Sequence, residues 1–153
     1  MSLSSTQQAF YNLIAPLAQE ASSVTGIDPN IIIAQAALET GWGASAPGNN
    51  YFGIKGTGGT QTTQEFLNGA WQTIKASFQG YSSLEDSVNG YVSFITNNPR
   101  YQAVENATNI PDQLKALQAS GYATDPNYAK KLQGIINMLP DFRHPAVPGQ
   151  VPD

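Results

Sequence analysis

The feature that most constrains this chain is an apolar helix signal that ends on a single carboxylate. Residues 28–40 read DPNIIIAQAALET. Asp28 is a favourable N-cap, Pro29 suits the first helical position, and Gly41 predicts the end of the helix. Because the helix body is apolar on nearly every face, it predicts a buried helix against which the rest of the core packs.

Glu39 lies in the last turn of this helix and does not fit an apolar environment. Its charge opposes the helix dipole, at a typical cost of about 0.3–1 kcal/mol. Burial beside Ile32, Gln35 and Ala36 on the same face would raise its pKa, and a carboxyl that keeps its proton near neutral pH suits general acid catalysis. The alternative is an exposed glutamate without a chemical role, and local physics does not decide between the two.

Composition excludes several functional classes. The chain of 153 residues has no cysteine, one histidine, seven Lys and Arg residues and a net charge of −4. The basic residues form no patch and no apolar run reaches membrane-spanning length, so nucleic-acid binding and membrane insertion are not expected. His144 lies in a proline-rich tail, which disfavours a Ser-His-Asp triad or a His-ligated zinc site. Carboxylates, tyrosines and amides remain for catalysis, and no metal or cofactor is implied.

Helical patterns dominate both sides of the central helix. An amphipathic helix is predicted over residues 5–22, with Ser5 and Gln8 forming a capping box. Its expected core stripe consists of Phe10, Leu13, Ile14, Leu17, Ala18 and Ala21. Later helices are predicted to begin at Ser83, Asn98, Pro111 and the Asp125-Pro126 pair, the last running to about Met138.

One β-hairpin interrupts the helices. Strands are predicted at 62–67 and 70–78, and Asn68-Gly69 between them is a strong two-residue hairpin signal. The preceding segment 56–60, GTGGT, is interpreted as a plain turn.

The hairpin signal also fixes which residues face each other. It pairs Phe66 with Trp71 and places Glu65 across from Gln72. Glu65 is the only carboxylate in a ribbon rich in Thr and Gln. On local evidence alone, a solvated strand residue is the better interpretation of Glu65.

The loop after Glu39 carries two aromatic residues among glycines and asparagines. Trp42 and Phe52 either pack in the core or form a cleft wall, since aromatic rings beside amides suit sugar rings. The chain as a whole predicts a mainly α (α+β) fold, with a helical lobe and a small hairpin lobe flanking a groove. We expect one domain over residues 1–139 and a Pro-rich tail or linker over 140–153.

Six segments in order give the chain a family resemblance. They are AQAALETGWG (34–43), NNYFGIK (49–55), TTQEF (62–66), ASFQGY (76–81), NPRY (98–101) and SGYATDPNYAKKL (120–132). Together they resemble the glucosaminidase domain of glycoside hydrolase family 73, over roughly residues 8–139. The resemblance implies a lysozyme-like fold and hydrolysis of the β-1,4 bond on the reducing side of N-acetylglucosamine in peptidoglycan.

The resemblance also implies roles for individual residues. Glu39 corresponds to the general acid, Glu65 to a second carboxylate on the hairpin lobe, and Tyr122 to a tyrosine near the general acid. The residues expected to bind the glycan are Trp42, Asn50, Phe52, Trp71 and Tyr128. The chain departs from the family in having Thr40 where serine is usual, in lacking a common arginine at Gln79, and in a short segment after Lys55.

Two mechanisms stay open at this stage. In the first, Glu65 activates a water and the reaction inverts the configuration, which requires the two carboxyls to lie about 6.5–9.5 Å apart. In the second, the 2-acetamido group of the substrate attacks and the configuration is retained. A flexible hairpin fixes a carboxylate poorly, which slightly favours substrate assistance or a loosely held base.

Rival functions are a lytic transglycosylase and a non-catalytic wall-binding or structural module. The resemblance implies peptidoglycan glycan strands as the partner, no cofactor, a monomer, and action in the periplasm or at the cell wall. No signal peptide is visible at the start of the sequence, which suggests an excised domain or another export route.

Overall fold

The computed structural model describes residues 3–140, which form a helical lobe and one two-stranded antiparallel hairpin. The elements are α1 (Ser5–Thr25), α2 (Pro29–Thr40), β1 (Lys55–Leu67), β2 (Ala70–Phe78), α3 (Leu84–Thr96), α4 (Gln102–Asn106), α5 (Ile110–Ser120) and α6 (Tyr128–Ile136). Short 3-10 turns cover Pro47–Asn49 and Pro99–Tyr101. The predicted mainly α (α+β) fold is confirmed.

The central helix α2 is the core of the helical lobe. Its Asp28 cap accepts the Asn30 N–H at 2.9 Å. Residues 31–37 are at most 1% exposed, and α1 and α6 pack against them. Each fully buried isoleucine contributes about 1.5–3 kcal/mol, so Ile31, Ile32 and Ile33 alone explain why this segment is fixed.

Helix α1 differs from its prediction in two details. The capping box is formed by Ser4 and Gln7, one residue earlier than the predicted Ser5 and Gln8, and the helix continues to Thr25. Leu13 is 66% exposed, so its assignment to the core stripe was wrong. The rest of the stripe packs on α2 and α3, which cover too narrow a strip to reach Leu13.

The hairpin has the predicted register. Phe66 faces Trp71 and Glu65 faces Gln72. Asn68 and Gly69 have φ values of 53° and 80°, which a type I′ turn requires.

The first strand begins earlier than predicted. The GTGGT segment belongs to β1 and was wrongly interpreted as a plain turn. Lys55 and Gly59 both lie opposite Phe78, so the residues between them bulge out of the ladder. No residue of either strand is buried, and the hairpin therefore has no core of its own.

The later helices follow their predictions except at one boundary. The Ser83 hydroxyl caps α3 by accepting the Asp86 N–H at 3.0 Å, as expected. Helix α6 begins at Tyr128 rather than at the Asp125-Pro126 pair. The Asp125 carboxylate accepts the Asn127 N–H at 2.8 Å, which makes a turn before the helix instead of a cap on it.

The described residues set a limit on two predictions. His144 and nearly all of the predicted Pro-rich tail fall within 141–153, outside the described residues, so the domain boundary stays a prediction. Across residues 3–140, no helix combines the length and the apolarity that crossing a bilayer requires.

Candidate active site

A groove runs between the helical lobe and the hairpin, and Glu39 lies where its two parts meet. The groove consists of two adjoining cavities of about 460 and 510 Å³. Both are lined by Glu39, Gly53, Thr63 and Phe78. Glu39 therefore faces both cavities.

The end of α2 holds Glu39 in a fixed position. The Thr40 hydroxyl donates to the Ala36 carbonyl at 2.7 Å and accepts the Gly43 N–H at 2.8 Å. Gly41 and Trp42 then adopt φ values of 59° and 60°, which reverses the chain tightly. A serine could make the same two hydrogen bonds as Thr40. Threonine in place of the serine that the resemblance implies therefore keeps this local structure.

Gly53 allows the opposite wall of the groove to approach Glu39. Its φ is 66°, in the region that favours glycine. A methyl group at this position would lie 2.7 Å from Oε1 and 2.8 Å from Cδ of Glu39. Only glycine lets the backbone lie directly against the carboxyl.

Asn50 fixes the loop that carries Gly53. Its Oδ1 accepts the N–H groups of Phe52 and Ile54 at 3.3 and 3.2 Å. Its Nδ2 donates to the carbonyls of Ile54 and Gln79 at 2.7 and 2.9 Å. Asn50 lines the smaller cavity, but its amide is occupied by the backbone of the loop.

The electrostatic environment favours the protonated form of Glu39. Burial by the surrounding walls, followed by the neighbouring charge of Glu65, raises the pKa of Glu39 from 4.5 to about 7. The residue is still exposed on its groove side, where solvent and substrate reach it. Within residues 3–140, its carboxyl forms no hydrogen bond and no ion pair. Glu39 is thus a carboxyl that faces the groove and can hold a proton near neutral pH.

Glu65 lies on the hairpin wall and is not the solvated residue that its strand suggested. Its side chain is 15% exposed. Oε1 lies 3.3 Å from Lys55 Nζ, and Oε2 accepts the Thr124 hydroxyl at 2.6 Å. Both carboxylate oxygens therefore have a donor, and the second donor belongs to the helical lobe.

Tyr122 lines the larger cavity together with Glu39, the general-acid candidate. Its hydroxyl donates to the Phe52 carbonyl at 2.8 Å. Burial, then the neighbouring Tyr128 and Tyr91 and the charge of Glu39, raises the pKa of Tyr122 well above 10. The phenol is neutral at any physiological pH.

A buried polar network supports this tyrosine from beneath. The Tyr122 and Tyr128 rings stack at 6.0 Å with an interplanar angle of 12°. Gln35, on α2 one turn before Glu39, donates to the Tyr128 oxygen at 3.1 Å and accepts from the Tyr91 hydroxyl at 2.5 Å. The amide of Gln35 thus fixes the Tyr91 and Tyr128 rings relative to the helix that carries Glu39.

Three of the predicted aromatic residues, Trp42, Phe52 and Trp71, lie in different environments. Trp42 packs edge-on against Phe10 at 6.3 Å and lines neither cavity, so the structure does not bring it to the groove. Phe52 borders the larger cavity, but its ring is 2% exposed and its centroid lies 4.3 Å from that of Tyr91, so most of the ring is packed in the core. Trp71 is 51% exposed and lines the larger cavity.

Sequence reasoning missed Gly53, Thr124 and Gln35 as parts of the site. Gly53 and Thr124 lie inside the motifs NNYFGIK and SGYATDPNYAKKL, but only folding shows what they touch. A buried amide on an otherwise apolar helix is a usable signal for Gln35, because such a group needs a partner.

The donor set of the described residues does not match a metal centre. No group of three His, Cys, Asp or Glu side chains in this part of the chain is arranged to hold a metal ion.

The comparison with protein families decides the assignment. A family model described as glucosaminidase, mannosyl-glycoprotein endo-beta-N-acetylglucosaminidase, matches residues 15–140. The chain belongs to this glucosaminidase family of glycoside hydrolases. The match covers every groove residue described above, from Gln35 to Tyr128.

Two curated relatives of this glucosaminidase chain act on glycans by name. Peptidoglycan hydrolase FlgJ of Escherichia coli O157:H7 is 40% identical over 151 residues, covering 90% of this chain and 48% of the relative. Exo-glucosaminidase LytG of Bacillus subtilis is 37% identical over 142 residues, covering 85% and 50%. The chain spans about half the length of these curated relatives.

A solved structure of a peptidoglycan hydrolase has the same architecture. A mutant of a peptidoglycan hydrolase from Sphingomonas sp. A1 matches with a TM-score of 0.78 and 38% identity, covering 85% of this chain and 92% of that one. This agreement confirms the lysozyme-like glycoside hydrolase fold that the motifs implied.

Proposed function

We propose that this chain is an endo-β-N-acetylglucosaminidase that hydrolyses the β-1,4 bond on the reducing side of N-acetylglucosamine in peptidoglycan. The observation that carries the proposal is Glu39, an unpartnered carboxyl with a pKa of about 7 where the two cavities meet. The names of FlgJ and of the Sphingomonas enzyme support peptidoglycan as the substrate.

Glu39 acts as the general acid. At neutral pH a substantial fraction of the carboxyl carries its proton, because its pKa is about 7. It donates this proton to the glycosidic oxygen while the sugar ring develops oxocarbenium character. Proton donation leaves Glu39 as a carboxylate, which takes a proton from solvent before the next turnover, while the base releases to solvent the proton that it took from the attacking water.

Glu65 acts as the general base for an attacking water. The expectation of a loosely held hairpin carboxylate rested on the strand alone, whereas the Thr124 hydroxyl holds one oxygen and the exposed Lys55 ammonium lies near the other. Each carboxylate oxygen has a second lone pair, so a water can still donate to Glu65. Attack of that water on the face opposite the leaving group inverts the anomeric centre.

Tyr122 and the hairpin orient the substrate. The Tyr122 hydroxyl donates a hydrogen bond to the Phe52 carbonyl and keeps a lone pair that can accept from a water or an acetamido N–H. The exposed Trp71 ring offers a stacking surface for a sugar at the far side of the larger cavity. Cavities on both sides of Glu39 suit cleavage within a chain rather than at its end.

The setting of the activity follows from its substrate. Peptidoglycan lies in the periplasm or the cell wall, and we propose that the chain acts there as a monomer, since each copy carries both carboxylates of the site.

Product analysis of purified peptidoglycan tests the proposal. Wild type, Glu39→Gln and the control Glu20→Gln are incubated with peptidoglycan, and new glycan ends are identified by mass spectrometry after borohydride reduction. Glu20 is an exposed glutamate on α1 that lines neither cavity of the groove. We expect reduced N-acetylglucosamine ends from wild type and the control, and none from Glu39→Gln.

Other products would assign other functions. Anhydro-muramic ends would make the chain a lytic transglycosylase, and reduced muramic ends would move the cut to the other bond. Binding of the wall without new ends, on several wall chemotypes, would leave only the wall-binding module.

A further inference from the structure

The carboxylate proposed as the base receives its shortest described contact from the opposite lobe. Glu65 lies on β1, and the Thr124 hydroxyl that bonds its Oε2 at 2.6 Å lies in the loop before α6. The same hydroxyl oxygen accepts the Phe66 N–H at 2.9 Å. One atom of the helical lobe therefore contacts both the side chain of Glu65 and the strand backbone beside it.

These two bonds fix the direction of the hydroxyl proton. A threonine hydroxyl has one proton and two lone pairs. Since the Phe66 N–H occupies a lone pair, the single proton is left for the carboxylate. Alternate residues of an antiparallel strand turn their N–H away from the partner strand, which is why Phe66 can reach across the groove.

The loop that carries Thr124 is itself held on both sides. On one side, the Tyr122 hydroxyl bonds the Phe52 carbonyl at 2.8 Å. On the other, the Asp125 carbonyl accepts Gln118 Nε2 at 2.9 Å, and the Asp125 carboxylate pairs with Lys131. Thr124 is thus a fixed reference point, whereas the hairpin has no buried residue to hold Glu65 in place.

Lys55 cannot replace this contact. Its ammonium lies 3.3 Å from the other oxygen, but its side chain is 58% exposed. Lys55 also belongs to β1 and would move together with the hairpin. An exposed ion pair of this kind contributes little fixed geometry.

We infer that Thr124 is a positioning residue that holds the Glu65 carboxylate in its working geometry across the groove. The inference rests on the proposed function, because it needs Glu65 to act as the base. Thr124 also lines the larger cavity, and in this inference its effect on the reaction passes through Glu65. A displacement of about 1 Å in a reacting group can cost about 100-fold in rate, so the contact has a measurable kinetic consequence.

A set of variants of the 153-residue chain tests this inference. Thr124→Val keeps the shape and removes the hydroxyl, and Thr124→Ser keeps the hydroxyl and removes the methyl. Thr108→Val is the matched control, because Thr108 is exposed and lines neither cavity of the groove. Initial rates of reducing-end formation on peptidoglycan give kcat and apparent KM, and thermal unfolding checks that each variant is folded.

We expect a kcat effect that depends on the hydroxyl and on Glu65. Thr124→Val should lower kcat about 10- to 50-fold with KM within about 3-fold, whereas Thr124→Ser and Thr108→Val should stay near wild type. In a Glu65→Gln background, the additional loss from Thr124→Val should be less than about 3-fold, because the effect passes through Glu65.

Several results would overturn the inference. A wild-type kcat for Thr124→Val would do so, as would a change in KM alone, a serine variant as impaired as the valine variant, or full additivity with Glu65→Gln. Glu39→Gln and Glu65→Gln run in parallel separate this failure from that of the proposed function. If both glutamate variants lose activity and Thr124→Val does not, only the positioning inference is wrong.

Discussion

The two walls of the groove hold their carboxylates by different physical means. Glu39 extends from α2, whose residues 31–37 are at most 1% exposed. Glu65 extends from a hairpin in which no residue is buried. The first carboxylate is fixed by hydrophobic burial of its helix and the second by a few polar contacts across the groove. A site can therefore combine a rigid acid with a base whose position depends on the contact between lobes.

Removing the acid on the rigid wall should have the largest effect. Glu39→Gln keeps the shape of the side chain and cannot donate a proton, so we expect a loss of about 10³-fold or more in kcat/KM. Reducing-end assays measure the loss against Glu20→Gln. A residual rate within tenfold of wild type would show that another group protonates the leaving oxygen.

Removing the carboxylate on the hairpin wall should have a smaller but still large effect. We expect Glu65→Gln to lower kcat about 100-fold, because the amide cannot take a proton from water. Proton NMR of the first product anomer, recorded within the mutarotation time, should show inversion for the wild type. Retention would assign the attack to the 2-acetamido group of the substrate instead.

The clash at Gly53 offers a more selective way to disturb Glu39. We expect Gly53→Ala to lower kcat about 10- to 100-fold, because its methyl would lie 2.7 Å from Oε1 of Glu39 and displace it. Gly69→Ala is the matched control, since Gly69 has a φ of 80° but nothing within 4 Å. Each variant should lose about 1–2 kcal/mol from the left-handed backbone alone. Equal kinetics for the two would remove Gly53 from the site.

The pH dependence should report the electrostatic link between the two walls. Because Glu39 must be protonated and its pKa is about 7, kcat/KM should fall as pH rises above about 7. In Glu65→Gln the basic limb should shift to lower pH, because the charge of Glu65 is the second cause of the raised pKa. Rate profiles from pH 5 to 9 locate the basic limb in the wild type and in Glu65→Gln. A basic limb at the same pH in both proteins would contradict the link.

The same raised pKa should appear in stability. The native state keeps the Glu39 proton up to about pH 7 while the unfolded chain releases it near 4.5, so the native state binds more protons between these values. The free energy of unfolding should therefore fall as pH rises from about 4.5 to 7, by about 1–2 kcal/mol after allowance for solvent screening at the groove. Glu39→Gln should lack this fall in denaturant titrations.

The two tryptophans should give the smallest and most divergent effects. Trp71→Ala removes an exposed ring from the groove, and we expect KM to rise about 3- to 10-fold with little change in thermal stability. Trp42→Ala removes a ring packed on Phe10, and we expect a loss of stability with KM unchanged. Kinetics and unfolding measured on both variants test the contrast, and the reverse pattern would exchange their assignments.

Sequence patterns predicted those parts of the molecule that local interactions determine. The apolar run of α2 predicted its burial, and Asn68-Gly69 predicted the register of the hairpin, because both signals are complete within a few residues. The cap of α1 was missed by one residue because Ser4 with Gln7 and Ser5 with Gln8 offer the same spacing.

The predictions that failed concern features that residues distant in the chain determine. The environment of Glu65 is set by Thr124, 59 residues later, and no strand pattern contains that information. Leu13 lies in a helix and Trp42 in a loop, and both local patterns allow burial. Neighbouring elements decide how much of each side chain is covered. The resemblance of motifs identified Glu39, Glu65 and Tyr122 as a set, and the structure lines the larger cavity with all three.

The absence of buried residues in the hairpin has a thermodynamic consequence. Opening of this lobe exposes little apolar surface, so its free energy is set mainly by the contacts at Thr124 and by the cation–π contact of Lys131 with the Trp71 ring at 5.5 Å. Such local opening costs far less than global unfolding. Amide protons of the hairpin should therefore exchange through small fluctuations, while those of α2 exchange only when the whole domain unfolds. A polymer can therefore enter the groove when the hairpin opens locally, while the rest of the domain stays folded.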